Sequence, residues 1–178
     1  GLLLLYIVTQ KLSISESGVF SFIFTLVTVL GMLLTSGANQ LLVKKAALLV
    51  DFNRLSVVKP YVTVCFIILG VGGGALVLIP VMPNLEVIDS KILLSLAIIT
   101  SIFFALNQLS TSVLLGAGYA SKASFFQNTL APMIFVSVSA IVFYLSSNAI
   151  SLKDFIIIFF LAYFITAFIS FLNFLKVV

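Results

Sequence analysis

The chain has 178 residues, 62% of them hydrophobic and only 8% charged, with a net charge of +4 and a mean hydropathy of +1.35. Soluble domains carry about 25% charged residues, so this chain lacks the polar surface to cover a water-exposed globule. Its charges sit in islands between apolar runs of membrane-spanning length, which points to a polytopic membrane protein and makes the basic excess a matter of topology rather than of nucleic acid.

Six apolar runs follow in chain order. Gly1–Thr9 is too short to cross a bilayer and reads as the tail of a first helix, so the chain reads as a portion of a longer protein. The second run covers about 18–43. The third, about 60–82, opens on Pro60, which suits a helix's first turn. The fourth covers about 91–115, the fifth about 123–145 and the sixth about 152–175. Each complete run has about 20–26 residues, enough to cross a hydrocarbon core of about 30 Å with some tilt. The linkers SISESG, PNLEVIDS, GAGYASK and SSNAISLKD are short and rich in turn residues. None of the runs alternates with period two, which excludes a β-barrel, and lipid offers backbone amides no partner. The expected fold is therefore an all-α membrane bundle of six helices, a single unit over residues 1–178.

Lys44, Lys45, Arg54 and Lys59 cluster between the second and third runs, and that loop is expected to face the cytoplasm. Alternation then places Lys122 and Lys176 on the same side and Lys11, Lys91 and Lys153 outside, with the N-terminus and the end of this chain both cytoplasmic. The stretch 50–59 is mildly amphipathic and suits the inner membrane surface. The implied location is the cytoplasmic (inner) membrane, crossed several times.

At about 100° per residue, Ser21, Thr25, Thr28, Thr35, Ser36, Asn39 and Gln40 of the second run fall within an arc of about 140°. In the fourth run Thr100, Ser101, Asn107, Gln108, Thr111 and Ser112 share one side. Tyr163, Thr166, Ser170 and Asn173 line up more narrowly in the sixth. The fifth run is looser, with Ser124, Asn128, Pro132 and Ser139 together and Gln127 displaced. Polar groups within a bilayer face protein or water more often than lipid. Packing between helices explains one such stripe; several stripes point to a hydrated cavity between the second, fourth and sixth runs. The candidate cavity residues are Thr25, Thr28, Ser36, Asn39, Gln40, Asn107, Gln108, Thr111, Asn128, Thr166 and Ser170. Lys44 and Lys45, expected at the inner mouth, are the phosphate/headgroup candidates for the substrate, against a role in topology and in contact with lipid headgroups.

The third run has no polar stripe. Gly70, Gly72, Gly73 and Gly74 lack the Lys-Ser/Thr of a phosphate loop and read as small residues for close helix contact, with a hinge as the minor alternative. Pro80 and Pro83 are expected to end that helix, and Pro132 to kink the fifth. Glu16, Asp51, Glu86, Asp89 and Asp154 all fall in loops, the chain has no histidine, and Cys65 is its one cysteine. These runs thus supply no intramembrane acid for proton or sodium coupling, no metal or cofactor site, and no acid/base pair or nucleophile set for an enzyme. Uncharged polar walls suit a hydroxyl-rich substrate such as a sugar chain.

The stretch KLSISESGVFSFIFTLVTVLGMLLTSGANQLLVKK, residues 11–45, resembles the N-terminal part of polysaccharide (O-antigen-type, Wzx-like) flippases of the multidrug/oligosaccharidyl-lipid/polysaccharide exporter superfamily. The match rests on a short outer loop ending in Glu16 and Gly18, an apolar helix, and Gly37 followed by Lys44-Lys45. LLGAGYASKASFFQNTL, residues 114–130, looks like the family's helix exit, short basic inner loop and next helix. The resemblance implies two pseudo-symmetric bundles around a central cavity, of which this chain supplies most of the N-terminal lobe. It implies alternating-access export of polyprenyl-pyrophosphate-linked oligosaccharide for lipopolysaccharide or other surface polysaccharide biosynthesis. The implied partners are the lipid-linked oligosaccharide, membrane lipids, a polysaccharide polymerase and assembly proteins. A multidrug exporter of the same superfamily and a non-transport membrane assembly protein are the alternatives.

Overall fold

The computed structural model describes residues 12–35, 37–50, 59–77, 91–145 and 151–177, which are helical apart from short turns, with no strand among them. The expected remnant at 1–9, residues 51–58 of the amphipathic stretch 50–59, and the region of Pro80 and Pro83 lie outside the described residues.

The helices are α1 (Ile14–Thr35), α2 (Ala38–Val50), α3 (Lys59–Val77), α4 (Lys91–Gly116), α5 (Ala120–Ser124), a π turn (Phe125–Thr129), α6 (Leu130–Leu145) and α7 (Leu152–Leu175). Among the described residues four stretches are long and apolar enough to cross a membrane: Ile14–Thr35, Ile92–Gly116, Ala120–Val142 and Leu152–Leu175. The apolar part of α3, Pro60–Ala75, is shorter. This architecture is that of an all-α bundle fitted to a membrane.

The second run is not the single helix expected over 18–43. It is broken at Gly37, whose φ of +77° lies in the left-handed region that glycine adopts without a Cβ clash. α2 restarts on the Gly37 carbonyl, which accepts from the Gln40 N–H at 3.1 Å. A second left-handed glycine, Gly118 at φ +87°, ends α4. There the Tyr119 N–H reaches back to the Leu114 carbonyl at 2.9 Å and the Gly118 N–H to Leu115 at 3.1 Å, a Schellman closure. The expected helix 123–145 is likewise not uniform, because the π turn interrupts it. The other starts are capped from their own sequence. Ser13 and Glu16 exchange hydrogen bonds at the head of α1, and Ser151 and Asp154 form a full capping box at the head of α7.

α1, α4 and α7 run in one direction and α3 and α6 in the other. Phe20 of α1 meets Phe155 and Phe159 of α7 at ring-centroid distances of 6.4 and 5.7 Å. Further along the same direction Gly31 of α1 lies against the Phe104 ring of α4, and Asn39 of α2 against Gln108. α3 is reversed: its Phe66, near the start, meets Phe174 at the end of α7 at 6.3 Å, while Gly73 meets Ile102 in mid-α4. The α1–α2 break, the start of α3 and the ends of α4 and α7 therefore share one end of the bundle. The cluster of Leu42, Ala46, Val62, Val113 and Phe174 forms there.

α4 is the central helix. It touches α1, α2, α3, α5, the π turn and α7. Its glycine end is pressed onto α2, where a β-carbon on Gly116 would strike the Val43 carbonyl oxygen and approach the Ala46 Cβ to 2.7 Å. Contact of this closeness needs small residues, since lipid supplies no hydrophobic force between helices. Of the α3 glycines, Gly72 and Gly73 face Leu34 and Ile102, whereas Gly70 and Gly74 face open space.

Candidate functional site

α1 builds one wall of a cavity of about 560 Å³. Ser21, Thr25 and Thr28 recur at spacings of four and three, which holds them on one face of a helix. Opposite stand Gln127 and Asn128 from the π turn, with Pro132 beyond them, and α7 closes the side with Phe159 and Tyr163. Phe20, Phe24, Phe104 and Phe135 complete an aromatic lining. Those rings are held by edge-on contacts, such as Phe159 to Tyr163 at 4.8 Å and Phe135 to Phe159 at 6.1 Å.

The hydroxyls present acceptors to this space. Thr25 donates its proton to the Ser21 carbonyl and Thr28 to the Phe24 carbonyl, both at 2.9 Å, leaving oxygen lone pairs free. The exposed amides of Gln127 and Asn128 supply donors as well as acceptors. Apart from the phenol of Tyr163, no lining side chain is ionisable. Such a chamber can hold an uncharged, hydroxyl-bearing group against ring faces without paying for a buried charge.

Of the residues expected at a cavity, this one gathers Thr25, Thr28 and Asn128. The polar wall comes from α1 and the π turn, with α4 contributing Phe104 alone. The stripe of α4 marks its central position instead. Thr100, Ser101, Asn107, Gln108, Thr111 and Ser112 are buried. Thr100, Ser101, Thr111 and Ser112 return their protons to carbonyls one turn earlier, at 2.6 to 2.8 Å. Asn107 donates to the Phe126 carbonyl at 3.2 Å, inside the π turn. Thr166 and Ser170 are also buried and bond to Ala162 and Ala167 of their own helix. Asn39 donates to Gln108 at 2.7 Å and to Thr35 at 3.3 Å, a private lock across the α1–α2 break. Gln40 and Lys44 are exposed on α2, and Ser36 lies outside the described residues.

Gln127 and the aromatic lining were not legible as site residues. The π turn brings Gln127 beside Asn128, with the Leu130 N–H bonded five residues back to Phe125, and no residue pattern announces such a turn. The rings had a weak signal only: Phe20 and Phe24 lie one turn apart, beside the hydroxyl stripe.

A second cavity of about 510 Å³ lies at the α1–α2 break, walled by Leu34, Leu41, Val64, Ile68 and Leu109. Lys45 is not part of its lining but stands beside it, with Nζ 5.3 Å from the centre of the Tyr61 ring that lines it. Neither Lys44 nor Lys45 lines the first cavity. Among the described residues, no three His, Cys, Asp or Glu side chains come together as metal ligands. Compared with family models, curated proteins and solved structures, the chain matches none.

Proposed function

We propose that this chain forms a lobe of an exporter that moves polyprenyl-pyrophosphate-linked oligosaccharide across the cytoplasmic membrane by alternating access, for surface polysaccharide biosynthesis. One observation carries the reading: a cavity between apolar helices whose polar groups are hydroxyls and amides and whose remaining wall is mostly aromatic. A sugar offers hydroxyls around its rim and an apolar C–H face, and this wall offers partners for both. Burying such a group costs little when every hydroxyl finds a partner, whereas an ion there would need a counter-charge. In this reading the protein transports and performs no bond chemistry, and its partners are the lipid-linked sugar, membrane lipids and the polymerase and assembly proteins that receive the product.

The test is Thr25→Val, Thr28→Val and Asn128→Leu combined in cells that make the polysaccharide. The threonine changes keep shape and remove only the hydroxyls, so the bundle is expected to insert normally. Surface polysaccharide is expected to fall at least tenfold at unchanged protein level in the membrane. Normal export by the stably inserted triple variant would sink the reading.

The six aromatic rings favour a second reading, a multidrug exporter, because ring faces also attract organic cations. Drug susceptibility that shifts in the same variants while polysaccharide export stays constant would select it.

A further inference from the structure

The second cavity differs from the first in its chemistry. It opens where α1 gives way to α2, against the first half of α3. Leu41, Val64 and Ile68 on its walls are 48%, 55% and 55% exposed. Of its two lining hydroxyls, Thr35 is already turned back to the Met32 carbonyl at 3.0 Å and the other is the phenol of Tyr61, so most of the groove's surface is apolar. Against one of its lining rings stands a cation. The Lys45 ammonium is seated over the Tyr61 ring, and Lys44 beside it is exposed.

An apolar trough with an ammonium positioned over one of its lining rings complements a molecule that has an apolar chain and an anionic head. A free phosphate would have no use for the trough, and a neutral lipid none for the cation. Among the described residues a further cation stands nearby. Lys122, seated over Tyr119, follows the turn that begins where Gly116 presses on Val43 and Ala46, the stretch that contains both lysines. Basic pockets between helices at a membrane surface attract anionic headgroups.

We propose that this groove holds one anionic glycerophospholipid of the bilayer. An acyl chain lies along Leu41, Val64 and Ile68, and the phosphate meets Lys45. The assignment is independent of the sugar reading of the first cavity.

The chain is purified in detergent and exposed to phosphatidylglycerol or phosphatidylcholine with identical acyl chains, and retained lipid is counted by native mass spectrometry. Phosphatidylglycerol is expected to be retained more tightly. Lys45→Gln, which keeps the side-chain stem, lowers its retention about fivefold, the equivalent of about 1 kcal/mol per lysine at an anionic surface; phosphatidylcholine is unaffected and Lys45→Arg restores the preference. Val64→Phe fills the groove and lowers retention of both lipids. Equal retention of the two lipids by the unaltered chain overturns the proposal, as does an undiminished preference in Lys45→Gln. Unchanged retention in Val64→Phe overturns the groove's part in it. Displacement of phosphatidylglycerol by an equal concentration of a polyprenyl phosphate also overturns it, because the groove would then serve the transported lipid.

Discussion

Gly116 shows what a single missing β-carbon does in this bundle. The atoms it would strike include the Val43 carbonyl, which belongs to a helix backbone and cannot rotate aside. Gly116→Ala is therefore expected to cost about 1–3 kcal/mol, the usual penalty of overpacking, read from unfolding of the purified protein in mixed micelles. Gly73→Ala is the contrast. Its new methyl would meet Ile102 Cδ1 at 2.9 Å, the free end of a side chain that can change rotamer, so its effect is expected to be much smaller. At Gly37 the constraint is conformational, since nothing lies within 4 Å of the added carbon. Gly37→Ala is expected to cost about 1–2 kcal/mol from the left-handed backbone alone, and the same unfolding measurement checks it. Equal effects of the substitutions at Gly116 and Gly73 would contradict this account.

At the scale of elements, α1 and α7 begin with the same device, a serine that exchanges hydrogen bonds with an acid three residues on. Ser13→Ala and Ser151→Ala are each expected to destabilise by about 1 kcal/mol. Because the two caps share no partner, their effects should add within about 0.5 kcal/mol in the double variant. Thermal unfolding followed by helical circular dichroism measures both.

Elements were readable where one physical signal dominated. The bounds of α4 and α7 follow from apolar runs ended by Lys91 and Gly116, and by Ser151 and Lys176, and the structure reproduces them within a residue. The α1–α2 break was less legible. TSGANQ carries a glycine that ends helices, but the hydroxyl and amide stripe continues through it at the right angle and imitates one helix. The stripe of α4 misled in a different way. Its polar residues sit at cavity-like spacing, yet their protons are spent on their own helix. A sequence gives the angle of a side chain and not its partner. The first cavity was half legible for the same reason: Thr25, Thr28 and Asn128 followed from periodicity, whereas Gln127 depended on a π turn.

For the molecule as a whole, the alternating helix directions sort the charges. Lys44, Lys45, Lys122 and Lys176 lie toward the end where α1 breaks and α4 and α7 finish, and Glu16, Lys153 and Asp154 lie toward the other. By the positive-inside rule the lysine end is expected to be the cytoplasmic one. The test replaces Lys122 or Lys153 by cysteine in a Cys65→Ala background and labels intact cells with a membrane-impermeant maleimide. Labelling is expected at position 153 and not at 122 until the cells are opened; the reverse pattern would invert the topology.

The same sorting of charge has a consequence for biogenesis. In a cell whose interior is electrically negative, an upside-down chain must carry its lysine-bearing end outward against the field. Each cation costs about 2.3 kcal/mol per 100 mV, so the four lysines together oppose that route by about 9 kcal/mol for every 100 mV. An energised bilayer thus proofreads the direction of threading before any helix has found its neighbour, and a de-energised one loses that discrimination.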